Sequence, residues 1–122
     1  MSRTCLVVDD SRTVRKIARR ILETQGYQVL EAEDGRDALT VCRQALPNCI
    51  LLDWKMPVMD GISFLRALRQ EFGADNPPVV FCTTENNLDH IALAMQTGAQ
   101  EYIMKPFNEG ILLGKLEQVG LL

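Results

Sequence analysis

Residues 49–61 read CILLDWKMPVMDG, and the fold follows from this stretch. Cys49–Leu52 is a short apolar run, as expected of a strand buried on both faces. Asp53 follows it, a loop runs through Asp60, and Asp60-Gly61 opens a segment with Leu65, Leu68 and Phe72 at helical spacing. A strand that ends at an acid and leads into a helix is one βα unit. The same unit recurs on both sides of it.

Upstream, Thr4–Val8 predicts a strand, and Asp10 or Ser11 caps a helix whose inward stripe is Val14, Ile17, Ala18, Ile21 and Leu22, ending near Gly26. Gln28–Ala32 predicts a second strand. Asp34 caps a helix that buries Ala38, Val41, Cys42 and Ala45 and stops before Pro47. Downstream, Pro77 and Pro78 lead into the strand Val79–Cys82. Asn86 caps a helix turning Leu88, Ile91, Ala92 and Met95 inward and ending at Gly98. Glu101–Met104 predicts the last strand, and Asn108 starts a helix with Leu112, Leu116 and Val119 inward. Repeated βα units require an α/β, doubly wound parallel sheet of five strands with five helices on its two faces. By analogy with known sheets of this class, the strand order is 2-1-3-4-5.

A length of 122 residues is enough for one core and too short for two, so residues 1–122 are expected to form a single domain with no output domain. A net charge of −3 argues against general nucleic-acid binding. The start MSRTCLVVDD reaches acids after four apolar residues, too soon for a signal peptide. No apolar run approaches the roughly 20 residues of a membrane span, and a cytoplasmic protein is expected. Cys5, Cys42, Cys49 and Cys82 show no metal-ligand spacing and are expected to be buried thiols acting as small hydrophobes. His90 is read as helix-surface polarity.

Five polar residues fall just past strand ends: Asp9, Asp10, Asp53, Thr83 and Lys105. In a doubly wound sheet these ends lie along one edge, where such folds bind ligands. Three carboxylates close together repel one another, and a hard divalent cation with oxygen ligands relieves this. Asp53 can share that ion and still attack phosphorus, as in aspartyl-phosphate chemistry. Lys105 and Thr83 supply a charge and a hydroxyl for phosphoryl oxygens.

VVDDS (7–11), LLDWKMPVMDG (51–61), FCTTE (81–85) and YIMKPF (102–107) together resemble the receiver domain of two-component response regulators, of the stand-alone CheY-like kind with a flavodoxin-like fold. The resemblance spans essentially the whole chain. It implies Asp53 as the phosphoacceptor, Mg2+ bound by Asp9, Asp10, Asp53 and the Lys55 backbone carbonyl, and Thr83 and Lys105 on the phosphoryl group. It also implies a cis Lys105–Pro106 peptide and a switch in which Thr83 moves and Tyr102 rotates. Expected partners are a histidine kinase or phosphotransfer protein, and a downstream protein on the face of the fourth helix, fifth strand and fifth helix, in chemotaxis, motility or a phosphorelay. Neither nucleic acid nor membrane is an expected partner. The protein is expected to be a monomer, with dimerisation on phosphorylation left open. It would be a signalling phosphoprotein, not a conventional enzyme, catalysing only its own phosphotransfer and dephosphorylation.

Lys55 and Glu85 occupy the two positions that tune phosphoryl lifetime in this family. Their opposite charges suggest a pair across the site mouth that gates hydrolytic water, or a plain exposed ion pair worth about 0–1 kcal/mol. Thr84 stands where receivers often carry a smaller residue, and it would restrict the Thr83 movement. The first helix is basic at Arg12, Arg15, Lys16, Arg19 and Arg20, with the first four of these away from the apolar stripe. Either this is a solvated face or it docks the kinase. Two rival functions are a Mg2+-dependent phosphatase with an aspartyl nucleophile and a fragment of a larger response regulator. Lys55, standing where such phosphatases place a general acid, argues against the first.

Overall fold

In the computed structural model, described for residues 3–84 and 88–122, strands and helices alternate: β1 Thr4–Val8, α1 Arg12–Thr24, β2 Gln28–Ala32, α2 Gly35–Gln44, β3 Cys49–Asp53, α3 Gly61–Phe72, β4 Val79–Thr83, α4 Leu88–Thr97, β5 Glu101–Met104 and α5 Glu109–Gln118. The strands form one sheet in the order β2-β1-β3-β4-β5, every pair parallel. Fold class and strand order are those expected from the sequence.

Because successive strand residues point to opposite faces, each strand feeds two cores. Leu6, Val8, Ile50, Leu52, Val79 and Phe81 pack under α2, α3 and α4. Cys5, Val7, Cys49, Leu51, Val80, Cys82 and Ile103 pack under α1 and α5. This double burial explains why β1, β3 and β4 read as continuous apolar runs. All four cysteines are buried and reduced, as expected. Among the described residues, no helix is long and apolar enough to cross a membrane.

Caps set the helix starts. The side chains of Ser11, Asp34, Asp60 and Asn108 accept from backbone N–H groups of their own first turns, so Ser11 and not Asp10 caps α1. The expected cap at Asn86 lies outside the described residues. Both Lys105–Pro106 and Asn76–Pro77 are cis, the second unanticipated.

Several helix faces differ from the sequence expectation. In α4 the buried residue is Ala94, flanked by half-buried His90, Ile91, Leu93 and Thr97, while Leu88 is 81% exposed and Met95 and Ala92 also face out. The stripe read through the largest side chains is rotated by about one residue from the face that packs. Ile17 of α1 is exposed, as is Ala45, which lies past the last turn of α2 as its C-cap. Leu39 takes that inward place. Asp53 and Thr83 are the last residues of their strands, where the sequence reading placed them one step beyond.

Candidate functional site

β1 and β3 are neighbours in the sheet, so their C-terminal ends bring Asp9 and Asp10 beside Asp53. One carboxylate oxygen from each lies within 4.8 Å of the others. From the far side of β3, β4 and β5 bring in Thr83 and Lys105. The Lys105 N–H donates to the Thr83 carbonyl at 2.8 Å, which continues the ladder one step beyond β5.

The side chains of Asp9, Asp10, Asp53 and Lys105 meet in a compact polar cluster at the sheet edge. Lys105 Nζ donates to Asp9 Oδ2 at 2.6 Å and to Asp53 Oδ1 at 3.0 Å. Asp9 Oδ1 accepts from the Ser11 N–H at 2.9 Å, so both oxygens of this buried acid are engaged. Asp53 Oδ1 also accepts from the Trp54 N–H at 2.9 Å. Asp53 Oδ2 accepts no hydrogen bond among the described residues, and it is the oxygen left available for chemistry. Asp10 is exposed at the mouth.

One ammonium does not balance this much carboxylate. Burial pushes the Asp53 carboxyl up to about 6, with the Asp9 charge adding to it, against the pull of Lys105 and the Trp54 N–H. Burial alone would lower Lys105, but the hydrogen bond to Asp9 and the charges of Asp53 and Asp9 outweigh it and hold the amine above its usual range. An all-oxygen donor set with surplus negative charge fits a hard divalent cation of the Mg2+ type.

The β3–α3 loop is held at both ends. Gly61 N–H donates to Trp54 O at 2.8 Å and Gly35 N–H to Met59 O at 2.9 Å. Between them, Met59 N–H closes a tight turn onto Pro57 O at 2.7 Å, with Val58 at a φ of 70°. Lys55 lies in this loop and is exposed. With Asp10, Trp54, Met56, Asp60 and His90 it lines an open cleft of about 500 Å³. Glu85 lies outside the described residues, and so does its expected pairing with Lys55. Thr84 is exposed and lines a second, apolar cleft of about 310 Å³ with Val14, Ile17, Pro106 and Phe107.

Tyr102 is half-buried on β5, opposite Phe81 in the register, while Thr83 is opposite Met104. Thr83 and Tyr102 therefore share one face of the sheet on adjacent strands, the face covered by α2, α3 and α4. Lys115 Nζ sits 5.3 Å from the Tyr102 ring centre.

Two contacts at this site were not read from the sequence. The Trp54 ring lies 5.2 Å from that of Phe81 and 5.3 Å from the imidazole of His90, so His90 packs half-buried at the mouth and is not plain helix-surface polarity. Its separation from Asp53 by a whole βα unit hides this in the sequence, although Trp54 next to Asp53 was a visible signal. Arg15 and Arg19 also depart from expectation: they turn onto Glu31 of β2 and do not extend a free basic stripe. Arg12, Lys16 and Arg20 remain exposed.

Comparison with known proteins agrees with this geometry. The family model described as the response regulator receiver domain matches residues 5–117. The phosphate regulon transcriptional regulatory protein PhoB of Escherichia coli (strain K12) is 35% identical over 119 residues, covering 98% of this chain and 52% of PhoB. The chain thus spans about half the length of the curated relatives it matches. Among solved structures, the chemotaxis protein CheY4 of Vibrio cholerae superposes with a TM-score of 0.91 at 34% identity, covering 98% of this chain and 99% of CheY4. A CheY-like receiver domain protein from Methanospirillum hungatei gives 0.88 at 28% identity, covering 98% and 94%.

Proposed function

The chain belongs to the response regulator receiver domain family, and from that premise we propose that it is a phosphorylation-driven signalling switch with Asp53 as its phosphoacceptor. The observation that carries the proposal is the Asp53 carboxylate itself, clustered with two further carboxylates and in contact with Lys105. Oδ2 attacks phosphorus, the bond from phosphorus to the donor imidazole breaks, and the departing imidazole takes up a proton. An acyl phosphate on Asp53 results.

Asp9, Asp10 and Asp53, with the backbone carbonyl of Lys55, would hold Mg2+, which neutralises charge on the carboxylates and the incoming phosphoryl oxygens. Lys105 moves part of its hydrogen bonding from Asp53 to a phosphoryl oxygen, and the Thr83 hydroxyl donates to another. The shift of Thr83 is read by Tyr102 on the adjacent strand. It biases the surface of α4, β5 and α5, where Leu88, Met95 and Ile111 are exposed.

The phosphodonor is a histidine kinase or histidine phosphotransfer protein. Its helical bundle docks on the apolar cleft of Val14, Ile17, Pro106 and Phe107, with exposed Arg12 and Lys16 beside it for acidic residues. The protein works in the cytoplasm as a monomer in its resting state, and its output is a protein–protein contact in chemotaxis, motility or a phosphorelay. The likeness to PhoB supports a second setting for the same domain, within a larger transcriptional regulator.

The test is phosphotransfer in the presence of Mg2+ from a panel of autophosphorylated histidine kinases and phosphotransfer proteins, with Asp53→Ala as control. Rapid labelling from one donor, absent in the variant, is the expected result. Labelling that survives Asp53→Ala, or no labelling from any donor or from a small-molecule phosphodonor, overturns the assignment. Tyr102→Ala should be labelled normally and bind the downstream partner more weakly; undiminished binding removes Tyr102 from the switch.

A further inference from the structure

We infer that Arg15 is a positioning residue of the acidic site, its guanidinium fixed by Glu31 and holding the Asp9–Asp10 peptide so that both carboxylates face one divalent cation. This rests on the reading of the acidic cluster as a cation site, and it assigns a task to residues that touch neither cation nor phosphoryl group.

The geometry is a relay of three steps. Glu31 of β2 uses one carboxylate oxygen for Arg15 Nε at 2.9 Å and the other for Arg19 NH1 at 2.5 Å. With two guanidiniums on it, the carboxylate is fixed in place. Burial works against its charge, but the hydrogen bonds from Arg19 and Arg15 hold its proton affinity below the usual carboxylate range. Arg15, whose side chain is 14% exposed, then donates NH1 to the Asp9 carbonyl at 2.6 Å. On the other side, the Asp9 N–H donates to Ala32 O at 3.0 Å. The backbone of Asp9 is therefore gripped through both its donor and its acceptor from the β2 side.

That grip matters because of where the strand ends. Asp9 lies one residue beyond β1, where its carbonyl has left the sheet ladder, and a buried carbonyl without a donor is costly. The same carbonyl belongs to the peptide that orients Asp10. The Asp10 carboxylate makes no hydrogen bond among the described residues, so the backbone that carries it sets which rotamers can reach the site. Freeing the carbonyl lets the peptide rotate and swings Asp10 away from Asp9 and Asp53. Residues behind metal ligands act in this way, and their loss typically costs about 10–100-fold in metal affinity.

The sign of the effect separates positioning from plain electrostatics. A guanidinium near a cation site repels the cation, so removing only its charge tightens Mg2+ binding. Removing a positioning contact weakens it.

The experiment is calorimetric titration of MgCl2 into the folded protein, well below its melting temperature, for wild type, Arg15→Ala and Arg15→Lys. Emission of Trp54, the only tryptophan in the sequence, gives a parallel readout. Arg20→Ala removes the same charge from the exposed side of α1 and serves as control. The expected result is Mg2+ affinity at least about tenfold weaker in Arg15→Ala, a smaller loss in Arg15→Lys, and unchanged or tighter binding in Arg20→Ala. Arg15→Lys, which keeps the charge but cannot span both acceptors, decides the matter should Arg15→Ala not fold. Unchanged or tighter binding in the Arg15 variants overturns the inference while leaving the cation site intact. No Mg2+ binding by wild type overturns the reading of the acidic cluster itself.

Discussion

A β-carbon on Gly61 would lie 2.2 Å from the carbonyl oxygen of Asp53. The first turn of α3 is pressed directly onto the backbone that presents the candidate phosphoacceptor, and only a residue without a side chain permits it. Gly61→Ala forces the helix or the end of β3 to move. We expect it to cost at least about 2 kcal/mol in urea unfolding and to weaken Mg2+ binding as Asp53 shifts. Stability within about 0.5 kcal/mol of wild type would falsify this account of the contact.

Among the described residues, Lys105 is the only cation hydrogen-bonded to the Asp9 and Asp53 carboxylates, whose side chains are 3% and 11% exposed. Lys105→Met leaves both acids buried without a counter-charge. The expected loss is about 2–4 kcal/mol at pH 8 in the absence of divalent cation. It shrinks toward pH 5, because protonating the orphaned carboxyls removes the cost. Urea curves at the two pH values measure it, and a pH-independent loss would point to packing instead.

The Asp53 carboxyl titrates at about 6 in the folded chain, against about 3.9 for an unfolded aspartate. Between those values the native state holds more protons than the unfolded state, so this group makes stability fall as pH rises from about 4 to about 6. Above pH 6 the full cost of the charge is present. Such a displacement corresponds to at most about 3 kcal/mol; with solvent screening at the open mouth, Asp53→Asn should gain about 1–2 kcal/mol at pH 8. Thermal melts in a metal chelator should show that gain and a flatter pH profile. A lower melting temperature for the variant at pH 8 contradicts the prediction.

Val58 holds a φ of 70° at 74% exposure. A β-branched side chain in that region is strained, while asparagine tolerates it. Val58→Asn loses little packing and should raise stability by about 1 kcal/mol, read as a higher urea midpoint with an unchanged slope. No change in the midpoint would mean that the loop relaxes around valine without strain.

On α4 the packed face runs through Ala94, and Leu88 points to solvent. Leu88→Ser should therefore alter stability by no more than about 0.5 kcal/mol, whereas Ala94→Leu overfills a closed contact and costs about 1–3 kcal/mol. If the ranking came out reversed, the helix would be rotated to the face that its large apolar residues suggest.

The strands were legible because each carries its own local signal, an apolar run cut short by a polar residue or a turn. Asp9, Asp10, Asp53, Thr83 and Lys105 were legible for the same reason. Once the strands are parallel, every C-terminal end lies on one edge, so residues that close the strands must converge. Helix faces were less secure. The side-chain direction turns by about 100° per residue, and in α4 the large residues Leu88 and Met95 misled by about one position. The small residue Ala94 sits inward where α4 meets α3 over the core, and that closeness is not written in any local pattern.

By itself, then, the sequence determined the βα alternation, the parallel sheet and the acidic cluster, since each follows from periodicity and chain direction. The tertiary structure alone decided which way the remaining side chains act. It turned Arg15 inward onto Glu31 and the Asp9 carbonyl, brought His90 against Trp54 and pressed Gly61 onto Asp53. These are contacts between elements far apart in the chain. They depend on the distance and rotation at which packed layers settle, which short-range patterns of polarity do not encode.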